Sequence, residues 1–483
     1  MRPGLYLYAL RAARARQLRA RALRPLARRR FPGGEPPRAA QPVPAVEELW
    51  RSPAFEPAPA PDPTTRLGRF HAHYGEDVLA AARAGDLERA HALVDGWIEA
   101  NPPRNDDAWH PYPLSTRVGN WVAALTLLPE LGSPQLSGSL WRQLRRLERN
   151  IEDDVLGNHL IRNARALVLG GAAFSAPALT RRGIDLLSRE LPEQVLPDGG
   201  HYERSPSYHL VVLRDLLEAQ AASPHSWLEQ AIERMRGFAA ALARPDGAPA
   251  LFNDGTVDVP RLDLPASPQG LAVFHDSGFA VVREGLLWLA FRFGPPAPRF
   301  LPPHAHADAL SLQLWWDGHP VLVDPGSYTY EPGTDRDWFR STRAHSTLTV
   351  DGRDQFKLWG SFRSGPFPEV KLRYARDGVL EASVRHGRIR HIRRVEWEGA
   401  TVLVRDRVEG KGRHRLESRL VWAPESAPAA VETFGAEALV PEPGWVSPRF
   451  GERVETTIGV LRVTVELPAE LGFELHLNAE NGR

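Results

Sequence analysis

The chain has 483 residues, of which 42% are hydrophobic and 25% charged, and its formal net charge is +1. That length supports two separate cores, and so even a charge balance excludes a general polyanion binder, so no nucleic-acid partner is expected. The absence of cysteine excludes disulfides and thiolate ligands, leaving His, Asp, Glu or carbonyl oxygens for any metal.

The charge is unevenly placed. Ten arginines and no acidic residue fall between Arg2 and Arg30. Such a run reads first as a solvated basic extension, with peripheral contact to an anionic membrane surface as the alternative. Leu5 to Leu10 is followed by arginines rather than an uncharged cleavage region, so no export signal is recognised; the cytoplasm is the default expectation, the periplasm the alternative. No stretch approaches the roughly 20 apolar residues that span a bilayer. From about Pro32 to Thr64 proline, alanine and glycine dominate, which predicts an extended linker or wrapping segment. Residues 1–64 are therefore read as a basic, Pro-rich extension.

From residue 65 to 260 apolar residues recur at helical spacing, as in VLAAARAGDLERAHALVDGWIE, HLIRNARALVLGGAAF and YHLVVLRDLLEAQ, predicting an all-α array. From 261 to 483 the texture changes to short alternating segments separated by turn signals such as Asp317-Gly318, Asp351-Gly352 and Glu398-Gly399. That pattern predicts a large antiparallel β-sandwich. The boundary falls between Arg244 and Leu271.

Three polar-aromatic clusters lie in the helical half. The first runs from Trp109 to Arg117, followed by Asn120 and Trp121; its aromatic faces and hydrogen-bonding groups suit sugar rings, or else anchor a loop in the core. The second is Asn158-His159 at the start of a helical run, which can donate hydrogen bonds to a carboxylate or serve as a cap. The third runs from Asp198 to His209. There Ser205 can cap a helix and Pro206 fill its first turn, placing Tyr208 and His209 at a positive helix end that favours anionic ligands and a phenolate.

In the β half, His304, His306 and Asp308 are two residues apart and share a face if the segment is extended. Three such groups are costly to bury without a metal, a substrate or mutual pairing. With Asp324 on the return strand and His345 at a later strand start, His306, Asp324 and His345 form a plausible two-His, one-carboxylate zinc site.

The motifs HPYPLSTR followed by NWVAAL, GNHLIRNARAL, QVLPDGGHYERSPSYHLVVLRDLL, HAHADALSLQLWWDGHPVLVDPGSYTY and FRSTRAHSTLTVDGRDQ together resemble the heparinase II/III-like superfamily of polysaccharide lyases, related to oligoalginate lyases. The resemblance covers about Trp109 to Gln355. It implies an incomplete (α/α) toroid followed by an antiparallel β-sandwich, in agreement with the texture. It also implies that Asn158 and His159 face the substrate carboxylate, that Tyr208 exchanges the proton, that His304 faces it from the β domain, and that His306, Asp324 and His345 bind a structural zinc.

The activity so implied is β-elimination in an acidic polysaccharide or oligosaccharide. The enzyme must stabilise the enolate-like anion left when the proton beside a uronate carboxylate departs. Asn158 would neutralise the carboxylate, and Tyr208 would protonate the departing oxygen at C4. The C5 base would be Tyr208 itself, or His159 or His304 for the opposite configuration. Heparan sulfate, chondroitin, hyaluronan, alginate and bacterial exopolysaccharides all present this reacting unit. Two alternatives are a glycan-binding or assembly protein on the same fold, and a hydrolase using two carboxylates among Asp198, Glu203, Asp254 and Asp308.

Overall fold

The computed structural model describes residues 3–477 apart from 29–30, 32, 56–59, 105, 425–429 and 437. The basic extension is not simply solvated chain. It forms two helices, α1 (Pro3–Ala12) and α2 (Ala15–Arg28), after which the Pro-rich segment wraps the helical domain and buries Val43, Val46 and Trp50 in its core. Arginines pairing with acidic side chains explain the difference: Arg14 meets Glu193, and Arg16 Nη1 lies 2.7 Å from Glu190.

The helical domain follows as α3 (Glu47–Arg51), α4 (Arg66–His71), α5 (Glu76–Arg83), α6 (Leu87–Ala100), α7 (Pro111–Leu127), α8 (Pro134–Glu148), α9 (Asn158–Ala173), α10 (Pro177–Gln194), α11 (Pro206–Ala222) and α12 (Ser226–Leu242). Proline opens α7, α8, α10 and α11, where its fixed φ suits the first turn and its missing donor is not needed. Ser133 and Ser205 cap α8 and α11 by accepting from the backbone N–H of Leu136 and Tyr208. The run read as one helix from Val78 is two, because Gly85 takes a left-handed φ of 70° and Asp86 caps a new start. Helix α9 packs against α7, α8, α10 and α11, which makes it the inner spoke of the incomplete toroid.

The β domain begins with a five-stranded antiparallel meander, Gly270–Phe274, Phe279–Glu284, Leu287–Arg292, Leu312–Trp316 and His319–Leu322. Its register sets Val282 opposite Leu289 and Leu289 opposite Leu314. One face, including Val282, Leu289 and Leu314, packs on Val384, Val395, Val404 and Phe473 of a six-stranded antiparallel sheet. The other face, with Val281, Trp288 and Trp315, packs on Phe238 and Leu242 of α12. The meander is thus buried on both faces, which is why FAVV and LWLAFR carry apolar residues at consecutive positions. A four-stranded antiparallel sheet completes the sandwich. The segment between Leu242 and Gly270 joins the domains, and a short helix, α13 (Thr334–Arg340), lies against the seam. No helix among the described residues is long and apolar enough to cross a membrane.

Candidate active site

The seam gathers residues from both domains around a chain of alternating charges. Asn158 opens α9 after Gly157, whose φ is 61° and where a Cβ would come within 2.2 Å of Glu203 Oε1. Glycine is therefore required for Glu203 to reach the helix end, where it accepts from the Asn158 backbone N–H at 2.7 Å and from its side-chain amide at 3.3 Å. The other Glu203 oxygen lies 3.1 Å from His304 Nε2, and His304 Nδ1 lies 3.0 Å from Asp254 Oδ2. Asp254, in the interdomain segment, also receives hydrogen bonds from Arg336 of α13, from His306 Nε2 (2.9 Å) and from Ser327 (2.9 Å).

These contacts fix protonation states. Burial alone would lower the His304 pKa, but Asp254 and Glu203 outweigh it and hold it at about 9. Burial would raise Glu203, yet His304, His201 and the Asn158 N–H hold it at about 2; Asp254 is likewise kept well below the usual range by Arg336 and the two histidines. His304 is therefore an imidazolium with both N–H groups donated. It cannot serve as a base, which corrects that part of the sequence reading.

Tyr208 lies over His304, ring centroids 3.9 Å apart, and its hydroxyl is 2.9 Å from that of Tyr330. Burial, then Tyr330, then the Asp254 carboxylate push its pKa well above that of a free phenol. The expected phenolate at the helix N-terminus is thus overturned: low dielectric and a nearby anion outweigh the helix end, leaving Tyr208 a neutral acid.

His159 is partly open, with a side chain 28% exposed. Its Nδ1 lies 3.0 Å from Glu152. Burial works against the Glu152 carboxylate, but His159, His110 and Asn163 hold it at about 2. An ionised carboxylate only accepts, so Nδ1 is the His159 nitrogen that donates to it, and Nε2 is the nitrogen Glu152 does not engage. Tyr112 flanks this imidazole at 4.4 Å.

Other expectations change. Asn158 is buried and turned onto Glu203 rather than into the cleft. In the first aromatic cluster Trp109, Arg117 and Trp121 are core groups: Arg117 stacks on Trp97 and donates to the carbonyls of His73 and Ala108. Only His110 and Tyr112 of that cluster approach Glu152 and His159. His209 is structural, its Nε2 2.9 Å from the Met235 carbonyl. Sequence reasoning missed Glu152, Tyr330 and Arg336 and weighed Asp254 only as a hydrolytic acid.

Behind His304, the segment from His304 to His306 is a loop, not an extended strand. His304 and His306 both turn to Asp254, whereas Asp308 pairs with Arg292 at 2.5 Å. Among the described residues, Asp308, Asp324 and His345 form a group that could hold a metal ion. His306 stands beside it, with Nδ1 3.3 Å from His345 Nε2. His306 gives its Nε2 proton to Asp254, and His345 gives its Nδ1 proton to the Ser341 carbonyl at 2.7 Å. Two lone pairs therefore face each other, an arrangement that a cation would relieve. Asp308 Oδ1 is buried without a partner, and burial and Asp308 together raise the Asp324 pKa well above its usual value. The donor set that fits a cation is Asp308, Asp324 and His345; of the expected set, Asp324 and His345 belong to it, whereas His306, its Nε2 on Asp254, stands outside and Asp308 takes its place.

Family models for the heparinase II/III N-terminus and the heparinase II/III-like C-terminal domain match residues 78–271 and 266–474. The chain belongs to the heparinase II/III-like family. It is 28% identical over 313 residues to a heparin-sulfate lyase of Bacteroides stercoris, covering 52% of this chain and 46% of that one. It is 26% identical over 303 residues to the FtsZ-localized protein C of Caulobacter vibrioides, covering 59% and 52%. The chain spans about half the length of these curated relatives. A crystal structure of heparinase III shares the fold over 96% of this chain and 90% of its own, with a TM-score of 0.73 and 16% identity. In this heparinase II/III-like chain the two matched regions meet at the interdomain segment, and Glu203, Asp254 and His304 bridge them.

Proposed function

We propose that the chain cleaves uronic-acid-containing polysaccharides by β-elimination, leaving a C4–C5 unsaturated uronate end. The observation that carries this reading is the presence, at one seam, of a neutral Tyr208 hydroxyl and a partly open His159 whose Nδ1 is held by Glu152, leaving Nε2 outside that contact. His159 takes the C5 proton, Tyr208 gives its proton to the glycosidic oxygen at C4, and the C–O bond breaks as the double bond forms. The His304 imidazolium against the Tyr208 ring stabilises the tyrosinate left behind. Asn158, whose amide contacts to Glu203 are long at 3.3 Å, is the group to turn toward the uronate carboxylate.

Hydrolysis fits poorly. It needs one protonated and one free carboxylate, whereas Glu203 and Asp254 are both ionised and both bound to His304. Glycosaminoglycans are the proposed substrate class, by likeness to relatives named heparin-sulfate lyase. We propose zinc as the ion, held by Asp308, Asp324 and His345 with His306 adjacent. It would clamp the strands behind His304, and the proton transfers belong to the protein side chains.

The test is incubation with a panel of uronate polysaccharides while following the ultraviolet absorbance of the new double bond. A rise lost in Tyr208→Phe supports elimination. New reducing ends without absorbance would establish hydrolysis, and binding without either would establish a non-catalytic glycan receptor.

A further inference from the structure

Helix α2 is tied to the protein through paired arginines, while leucines of both α1 and α2 are exposed. Arg14, just before α2, and Gln17, Arg21 and Arg24 on it recur at helical spacing and meet the protein. Arg14 pairs with Glu193 and lies over the Phe300 ring at 3.6 Å; Gln17 donates to the Phe300 carbonyl at 3.3 Å; Arg24 pairs with Asp154 and lies 3.0 Å from His110. The helix is thereby fixed to both domains. The solvent side carries Leu18, Arg19 and Leu23 on α2 and Leu7, Leu10 and Arg11 on α1. The four leucines are 40–57% exposed. With Tyr6, they make five of the nine exposed large apolar side chains among the described residues, all within residues 6–23. A face meant only for water would be the reverse.

We propose that this outer face docks on an anionic lipid surface, with the leucines entering the boundary between headgroups and acyl chains and Arg11 and Arg19 meeting lipid phosphates. Three observations select this occupant. Arg11 and Arg19 stand exposed among the leucines, and the first thirty residues hold no acidic residue, so the charge of this face complements anionic headgroups and opposes a second copy of the same face. Four exposed leucines have no counterpart on a soluble acidic polysaccharide, but do on lipid. No helix among the described residues is long and apolar enough to span, so the helices lie along the surface. The paired arginines of α2 then fix the orientation in which the interdomain cleft is presented.

The experiment is co-sedimentation of the full chain with vesicles of phosphatidylglycerol and phosphatidylcholine, or of phosphatidylcholine alone, at low and high salt. Wild type is expected to sediment with the anionic vesicles and to be released by salt. Leu10→Ser/Leu18→Ser/Leu23→Ser should abolish binding. Arg11→Gln/Arg19→Gln should weaken it about fivefold per arginine, with far-ultraviolet dichroism unchanged in both variants because every altered side chain is exposed. The proposal is overturned if wild type ignores anionic vesicles or binds neutral ones equally. A dimer in light scattering that the serine variant abolishes would assign the face to a second copy instead. Loss of affinity for soluble acidic polysaccharide with vesicle binding intact would assign it to a glycan.

Discussion

Replacing Glu152 by glutamine isolates the group that sets the His159 tautomer. Burial opposes the carboxylate, yet Glu152 is held at about 2 against 4.5 for a free glutamate, and that difference corresponds to about 3 kcal/mol in favour of the ionised form. The contributions opposing burial come from His159 first and from His110 and Asn163 after it. His159 is the largest of these, so the hold of the carboxylate on the imidazolium formed when His159 accepts the C5 proton is on the order of 2 kcal/mol, or roughly thirtyfold in rate. Glutamine can also present its NH2 to Nδ1 and shift the proton to Nε2, where it blocks the base, so thirtyfold is a lower bound. The assay is steady-state elimination followed by absorbance, with the loss expected in kcat and little change in KM. In the double variant with His159→Ala, Glu152→Gln should add almost nothing. Wild-type kcat in Glu152→Gln, or losses that multiply in full in the double variant, would refute the assignment of His159 as a base oriented by Glu152.

Tyr208→Phe should lower kcat by at least about a hundredfold with an unchanged dichroism spectrum; an active Phe variant would move the acid elsewhere. Phe362 is exposed beside Tyr330, ring centroids 5.5 Å apart, and Phe362→Ala should raise KM about fivefold if it supplies a stacking face worth roughly 1 kcal/mol, whereas an unchanged KM removes it from the cleft. Glu152 and Glu203 are both held at about 2 against 4.5, so between those values the unfolded chain binds more protons than the folded one. Their contribution is complete above pH 4.5 and is lost as pH falls toward 2; urea unfolding across that range should show the decline, shallower in Glu203→Gln, and equal slopes would count against it. Elemental analysis should find about one zinc per chain, lost in His345→Ala or Asp324→Asn with a lower melting temperature, while a metal-free wild type of full stability would rule the clamp out.

How much of this was legible in the sequence depended on the range of the interaction. Helix starts are local, so Ser205-Pro206 placed Tyr208 correctly, and the residues of the Asn-His and HAHAD motifs do meet at one seam. Protonation states are not local. Tyr208 was read as a phenolate from its helix end, and the groups that reverse this, Tyr330 and Asp254, lie 122 and 46 positions away. Asp254 was weighed only among carboxylates for hydrolysis; its role appears only when His304, His306 and Arg336 arrive from the β domain. Glu152 lay within a run of acidic residues, which in sequence reads as a solvated face. The leucines of α1 and α2 were set aside for the arginines around them, because no pattern within that segment reveals that its charged side has acidic partners at Asp154, Glu190 and Glu193.

The non-local groups also explain why the site sits between two domains. Four charges alternate along the seam, Glu203, His304, Asp254 and Arg336, and each is buried against a partner of opposite sign. An isolated charge there would cost several kcal/mol to desolvate, but in an alternating row each partner offsets much of that cost. The row is complete only when the domains are docked, since Glu203 comes from the helical side, His304 and Arg336 from the β side and Asp254 from the segment between them. The electrostatics that keep Tyr208 neutral and His304 cationic are therefore the same contacts that hold the sandwich on the toroid. It follows that Asp254→Ala, which strips partners from His304, His306 and Arg336 at once, should loosen the domains and extinguish catalysis together. Tyr208→Phe should do only the second, a separation visible by comparing limited proteolysis of the interdomain segment in the two variants.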